Sequence, residues 1–173
     1  MIIEILELFG IGAIIVVFVK YILEQERQRN NRKLEQDRKR LFVFQNILPN
    51  NSIRNFTDDV FNGYYHRDFL VNLDEYSKLY KESIAIFFDK KLEEARTEFN
   101  YAFNKLLKFL VVHFFVHFSD KDIYALYPEL KYSLNKEKRN LYDRRFKELR
   151  KILDDFEDKY NNFLKTAKER IVL

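Results

Sequence analysis

Residues 142–167, YDRRFKELRKILDDFEDKYNNFLKTA, carry the strongest structural pattern in this chain of 173 residues. Aromatic and aliphatic residues recur there at alternating spacings of four and three, with charged side chains of both signs between them. The recurring positions are Tyr142, Phe146, Leu149, Leu153, Phe156, Tyr160, Phe163 and Ala167. This spacing matches the a and d positions of a heptad, so it predicts a long C-terminal helix that Asn135 or Ser133 can cap.

The apolar seam of this helix can bury itself in two ways. It can pack within the chain's own domain, as in a helical bundle, or against a second subunit, as in a coiled coil. Under the second interpretation, the predicted assembly residues are Phe146, Leu149, Leu153 and Phe156. The sequence leaves both interpretations open.

The rest of the chain also favours helices. It contains three glycines and two prolines, and neither residue type occurs between Tyr64 and Tyr127. This scarcity of helix breakers excludes a protein built mainly of strands and turns, and the predicted fold class is all-α.

Apolar residues follow helical spacing from 68 to 118, which is long for a single helix of a compact domain. A break is therefore expected near Tyr80–Ser83 or at Asp89. A short helix over Asp122–Tyr127 is expected to follow and to end before Pro128.

The first 23 residues, MIIEILELFGIGAIIVVFVKYIL, are strongly apolar. Ile5–Leu23 contains only two charged residues, Glu7 and Lys20. As a helix this stretch would be about 28 Å long, close to the thickness of a bilayer core. The sequence predicts a transmembrane helix over 1–23, with a buried core helix and an interfacial helix as the alternatives. A cleaved signal peptide is disfavoured, because the first residues are acidic rather than basic.

Seven basic residues follow between residues 24 and 40, and we call them the basic collar. They are Arg27, Arg29, Arg32, Lys33, Arg38, Lys39 and Arg40. Such charge predicts that the N-terminus lies outside and that this flank lies in the cytoplasm. Residues 24–40 are expected to form a polar helical extension, and 41–173 a cytoplasmic helical domain. The collar can contact anionic lipid or the phosphates of RNA.

One face of the predicted membrane helix suggests the lining of a pore. Its residues are Glu4, Glu7, Ile11, Ile14, Ile15 and Phe18. In a ring of subunits they would form an acidic mouth above an apolar constriction.

Motifs for catalysis are scarce. The chain has no cysteine and no phosphate-binding glycine loop, and we expect no cofactor and no metal site. His113 and His117 are four residues apart, which would place both on one helix face. With Lys108, they are weak catalytic candidates. A structural role at the edge of the core is the alternative for both histidines.

The layout of the whole chain resembles the small membrane accessory proteins of type VI-B CRISPR–Cas systems, which are divergent HEPN-domain proteins. The resemblance rests on architecture: an apolar N-terminal segment, a basic helical extension and a helical domain rich in Phe and Tyr. It implies a HEPN-like fold, a homo-oligomeric ring or pore in the bacterial inner membrane, and a role in antiviral defence beside an RNA-guided effector.

The sequence departs from the HEPN nuclease motif, in which Arg precedes His by four to six residues. Its nearest match is Lys108-x4-His113, so the function expected is a non-enzymatic one. The alternatives are a membrane-tethered RNA-binding protein or RNase, and a helical scaffold or adaptor.

Overall fold

The computed structural model describes the backbone of residues 2–81 and 86–171, and the side chains of residues 16–80 and 86–171. Within these ranges the chain forms six helices and a three-stranded sheet. The helices are α1 (Ile2–Ile47), α2 (Asn50–Phe61), α3 (Asp68–Lys81), α4 (Lys90–His113), α5 (Pro128–Lys131) and α6 (Lys136–Ile171). The strands are β1 (Tyr64–His66), β2 (Phe114–His117) and β3 (Asp120–Leu126).

The sheet makes the all-α prediction wrong. β3 is the central strand and pairs antiparallel with β1 and β2, so that Tyr124 lies opposite Tyr65 and Ala125 opposite Phe115. The helix predicted over Asp122–Tyr127 is instead largely part of β3. Short apolar runs do not show whether their period is helical or extended, and aromatic and β-branched residues favour a pleated surface.

The other part of the predicted fold class, a transmembrane helix over 1–23, is also wrong for the residues described. Among those residues, no helix combines the length and the apolar character needed to cross a membrane. The side chains of five predicted pore residues lie outside the described part of the chain. They are Glu4, Glu7, Ile11, Ile14 and Ile15.

α4 and α6 lie side by side and form the centre of the domain. Phe99 of α4 contacts Phe156 and Phe163 of α6, with ring centroids 5.4 and 6.2 Å away. Leu149 and Leu153 of α6 are buried in the same core. The heptad seam therefore packs inside the chain's own domain, which was one of its two predicted arrangements.

The C-terminal third of α1 packs against this centre. Leu41 and Phe44 are buried three residues apart on one face of the helix. The ring of Phe44 lies 4.6 Å from that of Phe163, and Arg38 donates a hydrogen bond to the main-chain oxygen of Ile171. α1 therefore runs antiparallel to α6 and leaves the domain beside the end of α6.

The predicted break before α4 and the predicted cap of α6 are confirmed, whereas the helical prediction up to residue 118 is wrong after His113, because Phe114–His117 form β2. α3 ends at Lys81 and α4 begins at Lys90, after Asp89 accepts a hydrogen bond from the N–H of Leu92. The side chain of Asn135 accepts hydrogen bonds from the first turn of α6. Both caps satisfy backbone N–H groups that have no partner within their helix.

Candidate functional site

The N-terminal part of α1 exposes apolar side chains in every direction. Seven of the eight residues from Val16 to Leu23 are aliphatic or aromatic, and their exposed fractions lie between 42% and 67%. Successive residues of a helix point about 100° apart, so these side chains cover its whole circumference. Phe18, a predicted pore residue, is one of them. We call residues 16–23 the apolar segment. A helix that is apolar all round is normally covered by protein or lipid.

The basic collar divides into two groups in the structure. Arg27, Arg29, Arg32 and Lys39 are exposed. The other three members, Lys33, Arg38 and Arg40, contact the domain. The guanidinium of Arg40 lies 4.5 Å from the centre of the Phe88 ring, with the Lys33 ammonium at 5.9 Å. Arg27, Arg29 and Arg32 therefore present their charge to solvent soon after the apolar segment, while Lys39 lies further along α1 and Arg38 is exposed although it bonds to Ile171.

Asp37, in the same stretch of α1, is a buried carboxylate that sequence analysis did not single out. Its oxygens accept hydrogen bonds from the N–H of Phe88 at 2.9 Å and of Asp89 at 3.0 Å, and from Arg40 at 3.1 Å. Arg170 of α6 in turn donates two hydrogen bonds to Asp89. We call Asp37, Phe88, Asp89 and Arg170 the α1 clasp. It joins α1 to the start of α4 and the end of α6, where α1 leaves the domain.

The histidine candidates lie at the opposite end of α4. His113 is its last residue, and its Nδ1 atom is 2.5 Å from the hydroxyl oxygen of Tyr127. His117 is in β2, where its Nδ1 atom lies 2.7 Å from the hydroxyl of Ser119. The two histidines therefore do not share a helix face, because the chain changes from helix to strand at Phe114.

A groove of about 660 Å³ runs along α4 to His113. Lys108 lines it, as do Tyr101, Lys105 and, from α6, Glu148. The structure therefore brings Lys108 and His113 together and places His117 elsewhere, in a groove beside the sheet.

The electrostatic surroundings of His113 come mostly from α6. Burial lowers the pKa of the His113 imidazole, and the positive charge of Arg145 lowers it further, while Glu148 acts in the opposite direction. Arg145 itself is bound to Glu148 at 2.6 Å. His113 is thus neutral at neutral pH. Because Tyr127 occupies Nδ1, only Nε2 remains for a substrate.

Tyr127 and Arg145 were not identified from the sequence. Tyr127 adopts a left-handed conformation with φ of 40°, which is strained for a bulky residue. That conformation ends β3, begins α5 and accompanies the contact with His113. Arg145 is distant from His113 in sequence and reaches it only because α6 lies against α4. Pro128 was no guide to Tyr127, because a proline favours an extended conformation for the residue before it and not the left-handed one observed.

The predicted assembly residues are mostly core residues. Leu149, Leu153 and Phe156 are buried in the chain's own domain, and Phe146 is partly buried beside Tyr142. The three buried side chains therefore present no surface to a second copy.

Within the described ranges, no cluster of three or more His, Asp or Glu residues has the geometry to hold a metal ion. No family model matches the chain, and no curated protein or solved structure matches it either.

Proposed function

We propose that this protein is a self-associating, membrane-active helical protein whose α1 contacts lipid. The observation that carries the proposal is the apolar segment, an exposed stretch of helix that is apolar on all sides. Burial of one Val, Leu, Ile or Phe side chain contributes about 1.5–3 kcal/mol. The apolar segment exposes six such side chains and Tyr21, and leaving them in water would therefore be a large cost for the isolated chain.

The exposed collar residues favour lipid as the cover. Arg27, Arg29 and Arg32 begin four residues after the apolar segment, on the same helix. Each basic residue close to an anionic surface contributes on the order of 1 kcal/mol. In this helix an apolar stretch is followed by a cationic stretch. That arrangement suits the surface of an anionic membrane better than the surface of a protein.

The biological setting of the proposal comes from the resemblance to type VI-B accessory proteins. In that setting the protein acts at the bacterial inner membrane, in antiviral defence, with further copies of itself and with an RNA-guided effector. A ring or pore remains a prediction of that resemblance. The predicted outward direction of the N-terminus needs a helix that crosses the membrane, which the described residues do not contain, so it is not part of the proposal.

Flotation of the full chain with lipid vesicles tests the proposal. The wild-type protein should float with vesicles that contain anionic lipid, whereas Val17→Lys combined with Ile22→Lys should leave most of the protein at the bottom of the gradient. Val111→Lys is the matched control, because Val111 is an exposed valine on α4 and should not affect flotation. Equal flotation of all three proteins, or none by the wild type, would contradict the proposal.

A second candidate function is RNA binding in the groove that leads to His113. The observation in its favour is that Lys105, Lys108 and the exposed Tyr101 line one groove with a neutral histidine. Basic groups and an aromatic ring suit a phosphate backbone and a stacked base. Binding of labelled single-stranded RNA should weaken in Lys108→Ala and stay unchanged in Lys147→Ala, a lysine on the exposed side of α6. Equal binding by these variants would remove this candidate.

A further inference from the structure

The α1 clasp lies where α1 leaves the domain. The apolar contacts of α1 run from Phe44 and Leu41 to Leu34, one turn before Asp37, and residues 16–32 are exposed. Val16 is 21 residues from Asp37, which corresponds to about 32 Å of helix. A tilt of about 10° at the exit would move the apolar segment by roughly 5 Å.

Asp37 is suited to prevent such a tilt. Its two carboxylate oxygens accept from consecutive backbone N–H groups, those of Phe88 and Asp89, immediately before α4. These groups lie at the positive end of the α4 dipole, where a carboxylate is stabilised. A residue of α1 thus occupies the N-terminus of another helix, 51 and 52 residues away in sequence.

The second half of the clasp connects this point to α6. Arg170 donates from Nε and Nη2 to one oxygen of Asp89, at 2.9 and 2.7 Å. Arg38, adjacent to Asp37, donates to the main-chain oxygen of Ile171 at 2.9 Å. α1 is therefore held from two sides, by the beginning of α4 and by the end of α6.

We propose that Asp37 is a positioning residue that fixes the direction in which α1, with its apolar segment, leaves the domain. The functional importance of this role rests on the proposed function. If α1 contacts lipid, its direction determines the orientation of the domain relative to the membrane. Apolar packing of Leu41 and Phe44 keeps α1 attached, and the carboxylate holds its angle.

Distance measurements between two spin labels test this directly. The chain contains no cysteine, so Gln25→Cys on α1 and Lys151→Cys on α6 provide unique sites. In the full chain in detergent, Asp37→Asn should broaden the distance distribution about twofold, since a change of angle at the exit is magnified along the helix. An asparagine has one accepting oxygen instead of two, and its NH2 group would face the donors of Phe88 and Arg40 from which the Oδ1 atom of Asp37 accepts.

Glu35→Gln is the matched control. Glu35 is an exposed acidic residue on the same turn of α1, bound to Arg38, and its substitution should leave the distribution narrow. Circular dichroism should show that each variant keeps its helices. If Asp37→Asn does not fold, Arg170→Gln removes the α6 half of the clasp from a largely exposed position and should broaden the distribution in the same way.

An unchanged distribution in a folded Asp37→Asn or Arg170→Gln variant would overturn the positioning role. This outcome is distinct from failure of the proposed function. A wild-type protein that does not float with vesicles would contradict lipid contact, while the distances in detergent would still report on the clasp.

Discussion

At the scale of single residues, the most informative group is the His113 imidazole. Burial and then Arg145 lower its pKa, so removing the positive charge should reverse part of the shift. We predict that Arg145→Gln raises the pKa of His113 toward its ordinary value of about 6.5, as measured by NMR titration of the ring protons. Arg144→Gln, on the neighbouring exposed position, should leave the pKa unchanged. A pKa that is the same in all three proteins would show that α6 does not act on His113.

The same group also predicts how stability depends on pH. The pKa of His113 is lower in the folded state than in the unfolded chain. When the pH falls below about 6.5, the unfolded state takes up the proton first, so the free energy of unfolding decreases until the pH has passed the folded pKa. Chemical denaturation of wild type and His113→Gln at pH 7.5 and 5.5 should show a smaller pH effect in the variant. An equal decrease in both proteins would assign the pH dependence to other groups.

At the scale of elements, α6 and the β2–β3 hairpin show what the sequence can predict. The heptad spacing of α6 continues for 26 residues, and its apolar seam lies in the core, as expected if the helix packs within its own domain. The strands of the hairpin contain four and seven residues. Such short runs do not distinguish the spacing of a strand from that of the last turns of a helix. The contact between Tyr127 and His113 depends on that hairpin, so it could not be predicted either. Asp37 looked like one charged residue among many, because its partners are about 50 residues away.

The α6 seam also predicts stability. Leu149 is fully buried, so Leu149→Ala should lower the free energy of unfolding by about 2–5 kcal/mol through lost burial and a cavity. Leu134→Ala is the matched control, because Leu134 is fully exposed and its truncation should have almost no effect. Urea denaturation of the two variants measures the difference. A small loss in Leu149→Ala would mean that the seam does not lie in the core in solution.

At the scale of the whole molecule, the chain combines a compact helical domain with a long helix that extends from one end of it. The proposed lipid contact then has an apolar part from residues 16–23 and an electrostatic part from the exposed collar. We predict that raising the salt concentration weakens flotation with anionic vesicles but does not abolish it, since salt screens exposed charges and leaves apolar burial intact. Neutral vesicles should show little dependence on salt. Complete loss of binding in high salt would mean that charge alone drives the association.

The antiparallel pairing of α1 with α6 has a consequence for the order in which the protein can assemble as it is synthesised. α1 is synthesised before the groups of α6 that receive it, Phe163 and Ile171, which follow it by more than 100 residues in the chain. Its partners in α3 and at the start of α4 are made earlier, but until α6 is synthesised the docking surface of α1 is incomplete. Its apolar segment is therefore available to chaperones, targeting factors or lipid before the domain beneath it exists. A folded domain that holds α1 in place can form only after synthesis has reached the end of α6.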